Sequence, residues 1–357
     1  MQDWQHSVIY QIYPKSFYSQ AGNPTGDLLG VVAKLDYLQW LGVDYLWLTP
    51  FLRSPQRDNG YDISDYYAID PSYGTMADCE LLIAEAGKRG IKLMLDIVVN
   101  HTSIEHVWFQ QARSSLDSPY RDFYIWRDQP NNWESKFGGS AWEYEAQTGQ
   151  YYLHLFDHTQ ADLNWDNPKV RQEVFKMMRF WRDKGVGGFR LDVINLISKP
   201  ADFPEDASDG RRFYTDGPNV HEYLQEMHRE VFEGHDLINV GEMSSTSLEH
   251  CIRYSRPDSK ELSMTFNFHL LKVDYPNQQK WVQADFDFLA LKRILSDWQT
   301  GMQAGGGWNA LFWCNHDQPR VVSRFGDDGE YRVVSAKMLA TACLLYTSDA
   351  ADDSLRV

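Results

Sequence analysis

Gly188-Phe189-Arg190-Leu191-Asp192-Val193-Ile194-Asn195 is a short apolar run that ends in a carboxylate, and Asn239-Val240-Gly241-Glu242-Met243 repeats the pattern further along the chain. Side chains alternate along a strand, so Arg190 and Asp192 share one face while Phe189, Leu191 and Val193 share the other. Two carboxyls at strand ends suit acetal cleavage. One protonates the leaving oxygen, the other stabilises or attacks the anomeric carbon, and different environments give them the different pKa values those roles require. An Arg–Asp pair also occurs as a plain structural ion pair. Taken alone, the segment leaves both readings open.

Two further runs shift the balance. Leu93-Met94-Leu95-Asp96-Ile97-Val98-Val99-Asn100-His101 and Ala310-Leu311-Phe312-Trp313-Cys314-Asn315-His316-Asp317-Gln318-Pro319-Arg320 also pass from apolar to polar, and the second supplies a third acid. Strands are expected at Val8–Tyr13, Tyr45–Thr49, Leu93–Val99, Phe189–Val193, Ile238–Gly241, Met264–Phe268 and Leu311–Cys314. Helical stripes lie between them. Asp27 can cap a helix carrying Leu28, Val31, Val32, Leu35, Leu38 and Leu41 that Gly42 stops. Thr75 and Asp78 form an approximate capping box, and Lys88-Arg89-Gly90 reads as that helix's end. Further stripes are Val170, Val174, Met177 and Trp181, then Tyr223, Leu224, Met227 and Val231, then Phe288, Leu291, Leu295, Trp298 and Met302. Alternating strand and helix predicts parallel βα units. Acids at the strand C-termini, with no glycine fingerprint in the first turn, favour an α/β fold of the TIM (β/α)8 barrel type over a doubly wound sheet. Residues 102–168, rich in Trp, Tyr, Asn, Gly and Asp, break the rhythm and read as a small inserted subdomain over the barrel mouth. So many aromatics argue against a disordered linker.

On these residues the chain resembles a known family. Asp96 to His101, Gly188 to Asn195, Asn239 to Met243 and Phe312 to Asp317 are similar to the four signature regions of the α-amylase superfamily, glycoside hydrolase family 13. Gln160-Ala161-Asp162-Leu163-Asn164 is similar to its additional region. Val8 to Pro14, Asn59 to Asp62 and Phe137 to Trp142 resemble the family's oligo-1,6-glucosidase group. Asn195 to Lys199, Gly210 to Pro218, Gly241 to Thr246 and Phe268 to Pro276 resemble the bacterial subgroup that hydrolyses trehalose 6-phosphate.

The resemblance implies a retaining glycosidase releasing glucose and glucose 6-phosphate, with Asp192 as nucleophile, Glu242 as general acid/base and Asp317 gripping sugar hydroxyls. It implies that Asp62, His101 and His316 contact the first glucose ring, that Arg324 helps close that subsite, and that Tyr61 is a stacking platform. Arg190 would hold Asp192 ionised. The alternative within the same chemistry is an oligo-1,6-glucosidase on neutral isomalto-oligosaccharides. A non-catalytic glycosidase-like protein is the reading from another class, and the presence of all three acids weighs against it. A substrate phosphate needs clustered cations, for which Lys272 and Lys280 are the candidates, with Arg211 and Arg212 behind them.

No cofactor is expected. The loop Ser19 to Asp27, where glucosidases of the group often bind calcium, offers Asp27 as its one carboxylate, and calcium favours several. The family pattern would continue past Ala342 into an eighth strand and a β domain. Cys343 to Val357 instead reads as an aberrant tail more like translated adapter sequence. The expected division is barrel 1–101, subdomain 102–168, barrel 169–342 and tail 343–357. A barrel stopped before its eighth strand leaves strand edges unpaired, so poor solubility or inactivity of this 357-residue chain is expected.

Composition sets limits. At 43% hydrophobic and 24% charged the chain can bury a large core. It shows no apolar stretch of membrane-span length and no signal-peptide pattern. Cys79, Cys251, Cys314 and Cys343 have no disulfide or zinc spacing, which suits a reducing cytoplasm. A net charge of −16 argues against nucleic acid or an anionic membrane as partner. A monomer acting on a small sugar is expected.

Overall fold

A computed structural model describes residues 3–345 except Trp281 and Gln283. Most of the expected tail, residues 346–357, lies outside the described residues. The chain divides into two compact units, Ile9–Glu242 and the described parts of Met1–Val8 with Met243–Val357.

The larger unit opens with strand β1 (Ile9–Ile12) and helices α1 (Leu28–Ala33) and α2 (Leu35–Trp40). Asp27 caps α1, its Oδ1 accepting from Gly30 N at 2.6 Å. The single helix expected here is broken at Lys34, whose φ of −106° and ψ of 4° leave the helical region. Strand β2 (Tyr45–Leu48) and helix α3 (Met76–Gly87) follow. The Thr75–Asp78 capping box forms in full. Strand β3 (Lys92–Ile97) leads into the segment with antiparallel pairing. There β4 (His101–Ser103) is followed by helix α4 (Val107–Ser114) and by β5 (Trp126–Arg127), β6 (Trp142–Glu145), β7 (Gln150–Leu153) and β8 (Gln160–Asp162). Strand β8 pairs back on β4, and β7 lies between β5 and β6. Helix α5 (Pro168–Asp183), strand β9 (Gly188–Leu191), helix α6 (Val220–Met227) and strand β10 (Ile238–Glu242) complete the unit.

The five strands β1, β2, β3, β9 and β10 are neighbours in that order, all parallel. Helices between them make successive βα units, the arrangement of a (β/α)8-type barrel. Every residue of β2, β9 and β10 is buried, as expected for strands covered on both faces. Gly188 opens β9 because nothing larger fits, since a Cβ there would lie 2.7 Å from the Ile238 carbonyl oxygen.

In the smaller unit the described elements are helix α7 (Leu248–Ser255), strand β11 (Met264–Phe266), helix α8 (Phe288–Ala304), helix α9 (Val321–Phe325) and helix α10 (Arg332–Leu345). The strand expected at Leu311–Cys314 does not form. Pairing stops at a single bridge, Thr265 with Asn309, and the Ala310 N–H bond to the Thr265 carbonyl. Beyond it the backbone follows its side chains. Trp313 packs among Leu271, Leu295, Phe325 and Leu339 and donates its indole N–H to the Leu339 carbonyl at 2.8 Å. Among the described residues no helix is long and apolar enough to cross a membrane.

Candidate active site

Strand register builds the centre of the site. Arg190 on β9 stands opposite Asp96 on β3 and Val240 on β10. Its side chain is fully buried and meets three carboxylates. Nη1 lies 2.9 Å from Asp96 Oδ1 and 2.5 Å from Asp192 Oδ1, and Nη2 lies 2.5 Å from Glu242 Oε2. The two acids named from the sequence are therefore held by the two terminal nitrogens of one guanidinium fork. That geometry bounds the gap between these two oxygens at about 7 Å, a range that includes the spacing of retaining glycosidases.

Just after Asp192 the chain turns sharply. Val193 has φ 37°, a left-handed conformation that a β-branched residue adopts only under constraint. Its N–H points at Glu242 Oε2, 3.2 Å away, so the turn that presents Asp192 also anchors Glu242.

Burial raises the Asp192 carboxyl well above the usual carboxylate range; Arg190 opposes this, while Glu242 and Asp96 reinforce it. The Arg190 charge is shared among three acids, so it is not reserved for Asp192.

Asp96, quoted in its motif but not assigned a role from sequence, is the hub of this cluster. Besides Arg190 it accepts from the Trp47 indole N–H and the Tyr61 hydroxyl, each at 2.9 Å. The signal available was an acid in the middle of an apolar strand. Nothing in the sequence pointed to Trp47.

Asp62 and His101 lie in the same unit. Asp62 is buried and accepts from Ser54 Oγ at 2.8 Å and from the Arg57 and Asp58 N–H groups. His101 Nε2 lies 3.2 Å from the Tyr61 carbonyl and from Gln160 Nε2, and Asn100 Nδ2 lies 3.3 Å from Nδ1. Behind His101, buried Lys199 bridges Asp162 Oδ2 at 2.7 Å and Asn100 Oδ1 at 3.0 Å. The loop after β9, the end of β3 and β8 of the inserted segment are thereby joined by one internal cation.

Burial lowers the His101 pKa to about 4, against the pull of Asp162, and lowers that of His106 to about 3. The sign of the linkage follows. The unfolded chain binds protons to these rings from about pH 6.5 downward and the folded chain does not, so their contribution is full above that pH and is lost as pH falls through the folded values. Unfolding free energies from urea titration should fall between pH 6.5 and 4.5 by an amount on the order of 2 kcal/mol per histidine, and His106→Gln should flatten part of that slope. An unfolding free energy unchanged over this window would contradict it.

The remaining candidates belong to the smaller unit. Asp317 is half exposed, with its N–H on Asn315 Oδ1 and its carboxylate 3.6 Å from His316 Nε2. Lys280 Nζ donates to the Asp317 carbonyl at 2.8 Å. Arg324 binds Asp274 through Nε at 2.7 Å and Nη2 at 2.6 Å and reaches Gln318 through Nη1. Lys280, Ser323, Arg324 and Asp274 line one cavity. Lys272 ends a 3-10 turn, His269–Lys272, and is exposed. In the larger unit Arg212 pairs with Asp206 and Arg211 with Asp209. Asp27, the one carboxylate in the loop from Ser19 to Asp27, serves as the cap of α1. Among the described residues no group of three His, Cys, Asp or Glu is placed to hold a metal ion.

The strand-end acids, their shared arginine and the parallel βα frame define a class. Residues 11–350 match the α-amylase catalytic domain, and the chain belongs to that family, whose fold is a TIM barrel. It is 67% identical over 346 residues to the trehalose-6-phosphate hydrolase of Bacillus subtilis (strain 168) and 63% identical over 343 residues to that of Escherichia coli (strain K12). These alignments cover 95% and 94% of this chain and 62% of each relative, so the chain spans less than two thirds of their length. The oligo-1,6-glucosidase of Parageobacillus thermoglucosidasius is 54% identical over 350 residues, with 95% of this chain and 62% of that protein covered. Among solved structures, Bacillus licheniformis trehalose-6-phosphate hydrolase superposes with a TM-score of 0.94 at 65% identity, covering 95% of this chain and 62% of that one.

Proposed function

We propose that the chain carries the catalytic region of a retaining glycoside hydrolase that cleaves trehalose 6-phosphate to glucose and glucose 6-phosphate. The observation that carries the reading is the single buried guanidinium bonded to both Asp192 and Glu242. Glu242 donates a proton to the glycosidic oxygen as the Asp192 carboxylate attacks the anomeric carbon, and glucose 6-phosphate leaves. Water, deprotonated by Glu242, then cleaves the glycosyl ester, freeing glucose with its configuration retained. The double displacement requires the Asp192 carboxylate to be ionised and Glu242 to carry the proton when the bond to the leaving sugar breaks. Asp317, Asp62, His101, His316 and Arg324 grip the first ring, and Tyr61 lies against it. Residues 102–168 act as a subdomain bordering the site, between barrel segments 1–101 and 169–342. The enzyme works as a cytoplasmic monomer without a metal, nucleic acid or membrane partner.

Two relatives above 60% identity support the phosphorylated substrate. The phosphate carries close to two charges, and Lys272 and Lys280 are the cations proposed to meet it; Lys280 also donates to the Asp317 carbonyl. Lys272→Ala with Lys280→Ala should raise KM for trehalose 6-phosphate about tenfold or more while leaving a neutral aryl α-glucoside nearly unchanged. Equal losses on both substrates, or a preference for isomaltose over trehalose 6-phosphate, would move the assignment to the oligo-1,6-glucosidase reading that the 54% relative favours.

A further inference from the structure

Asp96 is two strands from Glu242 and belongs to neither proposed catalytic role, yet both its oxygens are engaged. Oδ1 meets Arg190, and Oδ2 accepts from Trp47 and Tyr61, each at 2.9 Å. Trp47 stands on β2, beside β3, and its indole also lies against the guanidinium, with the ring centroid 5.1 Å from the Arg190 carbon. The charged and titratable groups facing one another here are Tyr61, Asp96, Arg190, Asp192 and Glu242, from the loop after β2 and from strands β3, β9 and β10. Trp47 brings no charge, but with Tyr61 it supplies one of the two donors besides Arg190 that engage Asp96.

We propose that Trp47 is a positioning residue for the acid pair: by donating to Asp96 it fixes that carboxylate as the counter-ion of Arg190, leaving Asp192 and Glu242 to share the proton that acetal cleavage uses. The electrostatic part stands on the geometry alone; the link to cleavage rests on the function proposed above. Without the indole donor, Asp96 is less firmly held on Arg190 and leaves more of the guanidinium charge to the pair, so proton affinity at Asp192 falls. The direction is therefore fixed.

Trp47→Phe keeps an aromatic ring beside the guanidinium and removes only the N–H donor. Carbon-13 NMR of carboxyl-labelled protein, with the Asp192 resonance identified by its loss in Asp192→Asn, follows the titration without requiring activity. The Asp192 step should move to lower pH by up to about one unit, the scale of one lost hydrogen bond to a charged group being the upper bound for an effect passed through Asp96. Asp96→Asn, which removes the repelling charge outright, should move it further in the same direction. The alkaline limb of kcat/KM on p-nitrophenyl α-glucoside should shift with it. A Trp47→Phe protein that melts at lower temperature but leaves the Asp192 titration in place would reduce Trp47 to packing and overturn the proposal. Titrations that move as expected in a protein that hydrolyses no α-glucoside would uphold the positioning role and remove the glycosidase reading instead.

Discussion

Asp192→Asn and Glu242→Gln, made in the full-length parent protein, should each lower turnover on an aryl α-glucoside by at least about a thousandfold, the scale of removing a group that acts in the transition state. Both replacements are isosteric and retain hydrogen-bonding capacity beside Arg190, so the urea midpoint should stay close to wild type. The two losses differ in kind. In an Asp192→Ala protein, azide can enter the vacated space and bond to the anomeric carbon as the aryl oxygen leaves, giving a glucosyl azide. Activity should then return in part with added azide, read as product by mass spectrometry. Near-normal turnover in either isosteric variant would remove the assignment of these two acids.

Arg190→Met is the second large effect, and it falls on stability. Arg190 is fully buried between three carboxylates, and removing the cation leaves them without a counter-charge. Breaking a buried ionic group from one side costs about 3–5 kcal/mol, a large part of a domain's total. The loss should depend on pH in a defined sense. At pH 8 the orphaned acids must either stay charged in a dry interior or bind protons against the solution, whereas at pH 5 protonation is cheap. Urea midpoints of Arg190→Met relative to wild type should therefore be most depressed at pH 8 and partly recovered at pH 5. An equal deficit at both would mean that packing of the long side chain, rather than its charge, is what Arg190 supplies.

The strand ends were legible because they carry two signals at once. An apolar run of four to six residues marks a buried parallel strand, and a carboxylate placed where that run stops has no structural reason to be there unless paired or used. Five of the expected strands, β1, β2, β3, β9 and β10, appear as neighbours in one parallel sheet. The same logic failed at Leu311–Cys314. There the apolar residues are satisfied by side-chain packing around Trp313, and apolarity alone does not distinguish a core-packed loop from a strand. The helix expected across Leu28 to Leu41 kept its buried stripe, Leu28, Val31, Leu35 and Leu38, but broke at Lys34, because burial of a stripe does not require an unbroken backbone.

By itself the sequence carried the resemblance to the family, the parallel βα frame and the candidate acids Asp192 and Glu242, because motifs and strand-end acids are read from residue types along the chain, while it left the role of Arg190 beside Asp192 open. Tertiary structure decided what those groups experience. Register between β3 and β9 sets Asp96 opposite Arg190 and turns an expected ion pair into a cation shared by three acids. Residues distant in sequence, Trp47 and Tyr61 on Asp96 and Lys199 between Asn100 and Asp162, supply the surrounding donors and charge. Proton affinity depends on burial and on every neighbouring charge, and these are fixed only when strands from separate parts of the chain come together.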